Sequence, residues 1–323
     1  MGFSFCLIRQ NGLLLDNASI FISGSLKNKN IFCRYYCILP LRWAMKPTLR
    51  LIELQYAIME IIQHIQDLIR QVTAQEIMPR FLRSRVDIKK DGTLMTEADL
   101  AAQQALMSGL QKIIAAPALG EEMSPDEQRR LWQHNPDGLW IIDPIDGTTN
   151  FVNGIPHFAV SVAFIKNGQS EIGVTFDPFC DEMFYAKKGS GAFLNETALP
   201  LRRNACHSLR EAVAAVEVKY LRSGTLANRM QNLSPCRSQR NMGCSTLDWC
   251  YLAAGRFDVF LHGGQKLWDY AAGALIANEA GGQLATLEGD DFWSGKHTFK
   301  RSVIAATDTA LFNAWLKWVR ENQ

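Results

Sequence analysis

Two aspartates, Asp143 and Asp146, stand three residues apart in the stretch WIIDPIDGTTNF, immediately after an apolar run. Pro144 between them fixes the backbone and removes a hydrogen-bond donor, and the chain turns here so that both carboxylates can face one side. Gly147 and Thr148 follow as the start of a helix or turn, where free N–H groups bind anions, above all phosphate. Carboxylates repel a neighbouring anion unless a cation lies between them, and Mg²⁺ usually bridges carboxylates to phosphate oxygens. The stretch therefore predicts a metal-bridged phosphate site.

Three other acidic segments could complete the same site. The GEE stretch offers Glu121 and Glu122 from a loop after a helix, Asp99 lies in the first turn of a helix, and Asp269 begins another helix after a strand. Taken singly, each has an ordinary structural explanation, because acidic residues are common in turns, at N-caps and in first helical turns. Their combination with the aspartate pair indicates a shared cation site.

Two helices and a sheet are predicted in the first half of the chain. Apolar residues at three- and four-residue steps indicate one helix that ends before Pro79 and another from about Glu97 to Ala115, with Leu100 among its inward residues. The run LWII predicts a short buried strand that ends at Asp143. The dipeptide Asn167-Gly168 then predicts a hairpin within a largely antiparallel sheet.

Strands and helices alternate in the second half, which predicts a partly parallel sheet. The predicted strands are AVAAVEV, RFDVFLHG and SVIAATD, and the predicted helices are TLANRMQNL, STLDWCYLAAG, WDYAAGALIANEAGG and a last helix through Trp315. We expect three parts. Residues 1–44 form an N-terminal extension, poorly ordered or loosely packed, or a misassigned start. Residues 45–195 form an α+β lobe with the metal and phosphate motif, and residues 196–323 form an α/β lobe that completes the active site.

WIIDPIDGTTNF and WDYAAGALIANEAGG together resemble the inositol monophosphatase family of Mg²⁺-dependent, lithium-sensitive phosphomonoesterases. GEE and LMTEAD follow the family's order and rough spacing, and the resemblance covers about residues 48–320. It implies a layered αβαβα sandwich of the sugar-phosphatase type, of α+β and α/β class, with an antiparallel N-terminal sheet and a mixed C-terminal sheet. It also implies a homodimer, two or three bound Mg²⁺ ions and inhibition by Li⁺.

The family's metal ligands carry over to matching positions of this sequence. Asp143 would bridge two ions within a ligand set that comprises Glu121, Asp143, the Ile145 carbonyl, Asp146 and Asp269. Lys89 or Lys90 would lie next to the metals, and the loop length leaves the choice between them open.

The resemblance also implies how substrate and water are held. Gly147 and Thr148 would offer backbone N–H groups to the phosphate. Thr148, hydrogen-bonded to Asp99, would align or deprotonate the attacking water, and Glu121 would also take part in catalysis.

The predicted reaction is direct hydrolysis of a phosphate monoester by metal-activated water. A site rich in carboxylates and poor in nucleophiles suits phosphoryl transfer, which depends mainly on positioning and charge neutralisation. No GxSxG elbow occurs, and His157, His207 and His262 fit no catalytic triad. The function is most like that of inositol-1-monophosphatase. The alternatives are histidinol phosphate, 3′-phosphonucleotides or fructose 1,6-bisphosphate as substrate, and a non-catalytic regulatory binding protein with this fold.

The sequence departs from the family pattern at His262. This histidine takes the place of an acidic residue that contacts substrate hydroxyls in members acting on inositol phosphate, so it is a candidate substrate contact at a strand end. The change puts specificity for myo-inositol in doubt. Nearby, Gly243, Cys244 and Ser245 would open a helix facing the leaving group, with Ser245 either a substrate contact or an N-cap.

Composition argues against several other functions. A net charge of +2 on 323 residues leaves no basic surplus for binding nucleic acid. No apolar run approaches the roughly 20 residues that span a bilayer, so no membrane association is predicted. Eight cysteines without a CxxC pair indicate reduced, mostly buried thiols of a cytoplasmic protein. The expected partner is a small phosphorylated metabolite.

Overall fold

The computed structural model describes part of the chain, with side chains from Met59 onward except at 219 and 220. The described ranges are 47–89, 92–201, 206, 208–221, 224–289, 291–293 and 299–323. The expectation for residues 1–44 and the position of Lys90 lie outside these ranges. Contacts divide the chain into a unit over 1–54, of which only the first turns of a helix are described, and a unit over 55–323, which holds the elements discussed below.

The helices predicted from the sequence are present among the described residues, together with a helix over 125–134 that was not predicted. They are α1 (Pro47–Val72), α2 (Glu97–Ile113), α3 (Pro125–His134), α4 (Thr148–Asn153), α5 (Thr225–Asn232), α6 (Ser245–Ala253), α7 (Leu267–Glu279) and α8 (Thr309–Glu321). Leu100, which was expected to point inward, is exposed on α2. The buried stripe of that helix runs through Ala98, Ala102, Leu106 and Leu110, so alanines and not Leu100 occupy the inward positions of its first half.

The strands of the first half form a ribbon and a seven-stranded sheet. The ribbon pairs β1 (Val86–Ile88) with β2 (Leu94–Thr96), and the sheet has the order β3 (Ala118–Gly120), β4 (Leu139–Asp146), β5 (Ala159–Lys166), β6 (Gln169–Asp177), β7 (Glu182–Lys187), β8 (Ala192–Leu194) and β9 (Thr197–Ala198). Only β3 and β4 pair in parallel, so the prediction of a largely antiparallel sheet is confirmed. The hairpin at Asn167-Gly168 is present, with positive φ at both residues.

Side-chain alternation along β4 builds two cores, one on each face of the sheet. Trp140 and Ile142 pack in a cluster with residues of α1 and α2, whereas Leu139 and Ile141 pack in a cluster with residues of α6 and α7. Because successive side chains of a strand point to opposite faces, Asp143 falls on the face of Leu139 and Ile141. The strand therefore directs this carboxylate toward the layer of helices that contains α7.

The second sheet has five strands in the order β11 (Ser238–Arg240), β10 (Val213–Glu217), β12 (Val259–Gln265), β14 (Arg301–Ala306) and β13 (Gln283–Ala285). Parallel and antiparallel pairs both occur, so this sheet is mixed, as predicted. Phe260 and Val303 share the core of α6 and α7, and Leu261 and Ile304 pack with residues of α5 and α8 on the other face. The layers therefore run helix, sheet, helix, sheet, helix, which confirms the αβαβα sandwich.

Within the described residues, none of the helices combines the length and the apolar character that crossing a membrane requires. The cysteines that the structure describes are free thiols, with Cys244 and Cys250 buried, Cys206 and Cys236 half-buried and Cys180 exposed. The sequence predicted mostly buried thiols, and among the described cysteines only Cys244 and Cys250 are buried.

Candidate active site

Asp143 and Asp146 lie at the end of β4, and a bulge decides their direction. The sequence predicted that this strand ends at Asp143, but the strand continues to Asp146. Asp143 pairs with Ser161 and Asp146 pairs with Ala159, so three steps along β4 match two along β5. Residues three apart on a regular strand point to opposite faces, and the extra residue of a bulge restores a common face. Pro144 has no N–H to pair and suits this interruption of the ladder.

Asp269 joins the pair from the first turn of α7. It is the third residue of that helix rather than its N-cap, and its Oδ2 accepts a hydrogen bond from the Lys266 N–H at 2.8 Å. One ligand oxygen from each of Asp143, Asp146 and Asp269 lies within 4.8 Å of the other two. The structure thus brings together three carboxylates that the sequence placed in two distant segments.

The carboxylate cluster carries an electrostatic cost that a cation would remove. Burial, followed by the charges of Glu121, Asp146 and Asp269, raises the pKa of Asp143 well above its usual range. Burial and the charges of Asp146 and Glu121 do the same to the pKa of Asp269. Asp143 Oδ1 is also buried without a hydrogen-bond partner among the described residues. Hard oxygen donors that include such an unsatisfied oxygen fit Mg²⁺.

Glu121 follows β3 at the edge of the sheet, and it is not among the three residues whose ligand oxygens lie within 4.8 Å of one another. Its N–H donates to the Ile142 carbonyl at 3.1 Å, which places it beside the end of β4. Lys89 Nζ donates to Glu121 Oε1 at 2.8 Å and to Glu122 Oε1 at 2.7 Å. Of the two candidate lysines, Lys89 therefore contacts the acidic residues, while Lys90 lies outside the described ranges. Burial, followed by the charge of Glu121, raises the pKa of Glu122 to about 7.

Gly147 caps the short helix α4 in a conformation that suits glycine. Its φ is +91°, and a Cβ at this position would lie 3.1 Å from the His157 carbonyl oxygen and 3.3 Å from that of Gly243. Two other chain segments therefore approach this turn closely. Thr148 is the first residue of α4, as predicted, and its N–H belongs to the initial helical turn, which lacks intrahelical acceptors.

Asp99 is completely buried at the start of α2, where the predicted hydrogen bond to Thr148 is not made. Asp99 Oδ2 accepts instead from the Thr96 N–H at 2.7 Å and from Thr96 Oγ1 at 2.6 Å. The Thr148 hydroxyl donates to the Ile145 carbonyl oxygen at 3.0 Å. The sequence interpretation overlooked that Thr96 and Asp99 form a capping box, which uses the same carboxylate. Burial raises the pKa of Asp99 to about 6.

The first turn of α6 contacts Asp146, which the sequence interpretation did not foresee. The Thr246 N–H donates to Asp146 Oδ2 at 2.6 Å, and the Cys244 thiol donates to the same oxygen at 3.2 Å. Burial raises the pKa of Asp146, and these hydrogen bonds act in the opposite direction. Cys244, not Ser245, is the N-cap of α6, and Ser245 is the first residue of the helix.

His262 lies inside β12 rather than at a strand end, and its side chain is only 2 % exposed. Nδ1 accepts a hydrogen bond from the Gly264 N–H at 3.0 Å, so the neutral ring carries its proton on Nε2. Burial lowers the pKa of His262 to about 3. The sequence did not decide whether His262 is neutral or cationic, and its burial in the structure favours the neutral form.

The buried His262 is expected to make the protein sensitive to acid. Below its usual pKa of about 6.5 the unfolded chain binds a proton, whereas the native ring does not until about pH 3. The stability that the neutral ring confers is therefore present above pH 6.5 and lost as the pH falls, by about 2 kcal/mol at pH 5. Urea unfolding in chelator measures the free energy of unfolding at pH 7.5 and at pH 5.0. The decrease between the two pH values should be smaller for His262→Gln than for the wild type. His134→Gln, at an exposed position on α3, is the matched control.

Asp177, Cys180 and Glu182 form another group whose possible ligand atoms lie within 4.8 Å of one another. Asp177 Oδ1 already accepts from the N–H groups of Phe179 at 2.9 Å and Cys180 at 3.1 Å. Glu182 forms a two-bond ion pair with Arg256. Because the Arg256 guanidinium already supplies a positive charge, this group is explained as part of the structure.

Comparisons with known proteins identify the family that this chain resembles along most of its length. The model of the inositol monophosphatase family matches residues 52–323. The protein named Nus factor SuhB from Pseudomonas aeruginosa is 38 % identical over 235 residues, which cover 70 % of this chain and 82 % of that protein. Inositol-1-monophosphatase from Mesorhizobium japonicum is 33 % identical over 241 residues, covering 73 % and 86 %. The solved Thermotoga maritima IMPase, 32 % identical, superimposes with a TM-score of 0.67 and covers 79 % of this chain and 94 % of that chain.

Proposed function

The chain belongs to the inositol monophosphatase family and is a phosphoric monoester hydrolase, and from this we propose that it hydrolyses a small phosphate monoester with Mg²⁺ as its cofactor. The observation that carries the proposal is that one oxygen from each of Asp143, Asp146 and Asp269 lies within 4.8 Å of the other two, while Asp143 Oδ1 is buried and makes no hydrogen bond within the described residues. Three carboxylates beside a Gly-Thr turn suit a phosphate that is bridged to the protein by cations.

Asp143, Asp146 and Asp269 would hold the Mg²⁺ ions, with Glu121 and the Ile145 carbonyl completing the ligand set. When bound, the ions would lower the pKa of the attacking water and stabilise the leaving oxygen. Glu121 would then release Lys89, whose ammonium keeps Glu122 as a partner at 2.7 Å. That second contact supports the proposal, because it leaves the lysine charge compensated after Glu121 turns to a metal.

Thr148 and Asp99 would position the attacking water. Asp99 Oδ1 is buried and makes no hydrogen bond within the described residues, so it can still accept one. A rotation of the Thr148 hydroxyl from the Ile145 carbonyl to Asp99 would use this oxygen and leave the carbonyl available as a metal ligand. The backbone N–H groups of Gly147 and Thr148 would bind the phosphate oxygens.

An inositol phosphate is the substrate that we favour. The names of the Mesorhizobium and Thermotoga relatives support this choice. The neutral His262 replaces the acidic residue expected from the family, so histidinol phosphate, a 3′-phosphonucleotide or fructose 1,6-bisphosphate are the alternatives. The half-buried Ser245 would contact the leaving group. His262 is 2 % exposed, which leaves little surface for a direct contact with substrate. Inhibition by Li⁺ and assembly as a homodimer belong to the same proposal.

A metal titration with a substrate panel tests the proposal. After chelation and gel filtration, we expect no measurable phosphate release, and added Mg²⁺ should restore saturable turnover because the carboxylates need cations to bind the phosphate. Inositol 1-phosphate should give the highest kcat/KM among inositol 1-phosphate, histidinol phosphate, fructose 1,6-bisphosphate and a 3′-phosphonucleotide. Undiminished turnover in chelator would contradict the role of the metal, and another preferred substrate would contradict the proposed specificity.

A second candidate function, a regulatory binding protein with this fold, is favoured by the name of the Pseudomonas relative, Nus factor SuhB. The panel of four phosphate esters distinguishes the two functions. A folded protein that binds Mg²⁺ but hydrolyses none of the four esters would favour the regulatory function. Circular dichroism and gel filtration of the same preparation establish that the protein is folded.

A further inference from the structure

Cys244 stands at the N-cap of α6 with its thiol directed at a proposed metal ligand. Its Sγ donates to Asp146 Oδ2 at 3.2 Å and also lies 3.4 Å from the Asp146 carbonyl oxygen. The residue is 1 % exposed and belongs to a small buried cluster with Ala159 and Leu247. Packing against these buried neighbours therefore holds the side chain beside Asp146.

The thiol and the backbone act on the same carboxylate oxygen. Thr246 N–H, at 2.6 Å, and Cys244 Sγ both donate to Asp146 Oδ2, so Oδ1 is the oxygen left for a cation. A carboxylate held by two donors on one oxygen loses its freedom to rotate about the Cα–Cβ and Cβ–Cγ bonds. Donors of this kind fix the orientation of a metal ligand before the ion arrives, and their loss commonly weakens metal affinity.

Asp146 needs this restraint because its backbone position is irregular. The residue follows a bulge in β4, where the ladder to β5 is interrupted between Asp143 and Asp146. The pairing of β4 with β5 therefore fixes the strand less firmly here than along the rest of its length. Contacts from α6, which comes about 100 residues later in the chain, supply the missing orientation.

We propose that Cys244 is a positioning residue for the metal site, whose thiol orients the Asp146 carboxylate toward the cation. The inference rests on the proposed function, since it assigns a role in holding Mg²⁺. It concerns affinity for the metal and not the chemical step, because the thiol touches the carboxylate and not the reacting groups.

Serine and alanine at position 244 separate the hydrogen bond from the packing. Their side chains have nearly the same volume, but only serine keeps a donor. We expect Cys244→Ala to weaken Mg²⁺ binding about fivefold to twentyfold in calorimetry, and Cys244→Ser to stay within about twofold of the wild type. The Mg²⁺ concentration for half-maximal turnover should rise in parallel for Cys244→Ala, while kcat at saturating Mg²⁺ should recover to within about twofold.

Cys250 provides the matched control, because it is a fully buried thiol on the same helix. Cys250→Ala and Cys250→Ser should both bind Mg²⁺ as the wild type does. If Cys244→Ala does not fold, Cys244→Thr and Cys244→Val provide the same comparison. Their side chains are larger than those of serine and alanine and nearly equal in volume to each other, and only threonine carries a donor.

The inference is overturned if the donor and non-donor variants at 244 bind Mg²⁺ equally well, or if Cys250→Ala weakens binding as much as Cys244→Ala. A wild type that neither binds Mg²⁺ nor turns over would instead overturn the proposed function, and the inference with it. The two failures are distinguishable because the second is seen without any variant.

Discussion

Replacing Asp143 by Asn is expected to lower kcat by about 10³-fold or more while the fold remains intact, because a metal site supplies several kcal/mol of charge stabilisation. Asp143 belongs to the carboxylate cluster, and its Oδ1 is buried and has no partner among the described residues. An amide presents a neutral oxygen and two donors to a site built for cations. Initial rates over a range of Mg²⁺ concentrations measure the effect.

The same substitution should make the metal-free protein more stable, which separates loss of function from loss of fold. Burial and the charges of Glu121, Asp146 and Asp269 raise the pKa of Asp143, so ionising it in the native state costs free energy at neutral pH. Removing that charge should raise the Tm in chelator and remove most of the stabilisation that Mg²⁺ provides.

Asp258 offers a control for Asp143→Asn, because it is a buried carboxylate that lies outside the cluster. It is 3 % exposed, and its Oδ2 accepts from the Val213 N–H at 2.8 Å. Asp258→Asn should lower the Tm and leave kcat within about twofold, because no metal is held there. Substantial Mg²⁺-dependent turnover in the Asp143→Asn variant would refute the proposed mechanism.

Replacing Gly147 by Ala is expected to have the second largest effect, about a 10²-fold loss of kcat, because misplacing a catalytic group by about 1 Å costs that much. The new Cβ would lie 3.1 Å from the His157 carbonyl oxygen, 3.3 Å from that of Gly243 and 3.3 Å from Phe158 Cβ. Backbone atoms cannot move away without shifting the turn that carries Thr148. The φ of +91° adds strain for any residue with a side chain, about 1–3 kcal/mol of unfolding free energy in total.

Gly168 separates backbone strain from crowding. Its φ is +75°, and a Cβ there would meet no atom within 4 Å. Gly168→Ala should therefore cost about 1 kcal/mol of unfolding free energy and leave kcat unchanged. Urea unfolding and initial rates on both variants make the comparison. Equal activity in Gly147→Ala and Gly168→Ala would show that the approach of His157 and Gly243 to the turn has no role in catalysis.

The sequence was sufficient wherever a signal is local. The apolar periodicities gave the long helices and the alternation of elements in the second half, and the Asn167-Gly168 dipeptide gave the hairpin between β5 and β6. The candidate ligands Asp143, Asp146 and Asp269 could be named because each belongs to a short motif, near the end of β4 or in the first turn of α7. Strands of two or three residues, such as β3 and β9, were missed because so few residues carry no period.

Contacts between distant segments were decided only by the tertiary structure. The sequence suggested that Asp143 and Asp146 share a face, and the bulge against β5 is what brings this about. Thr246 and Cys244 reach Asp146 from about 100 residues away, and Thr96 competes for Asp99 in a way that the motif alone did not reveal. The reason is physical: residue types and spacing along the chain determine which groups can bind a cation or a phosphate. Packing and register determine which of those groups meet, how deeply they are buried and therefore which charges they carry.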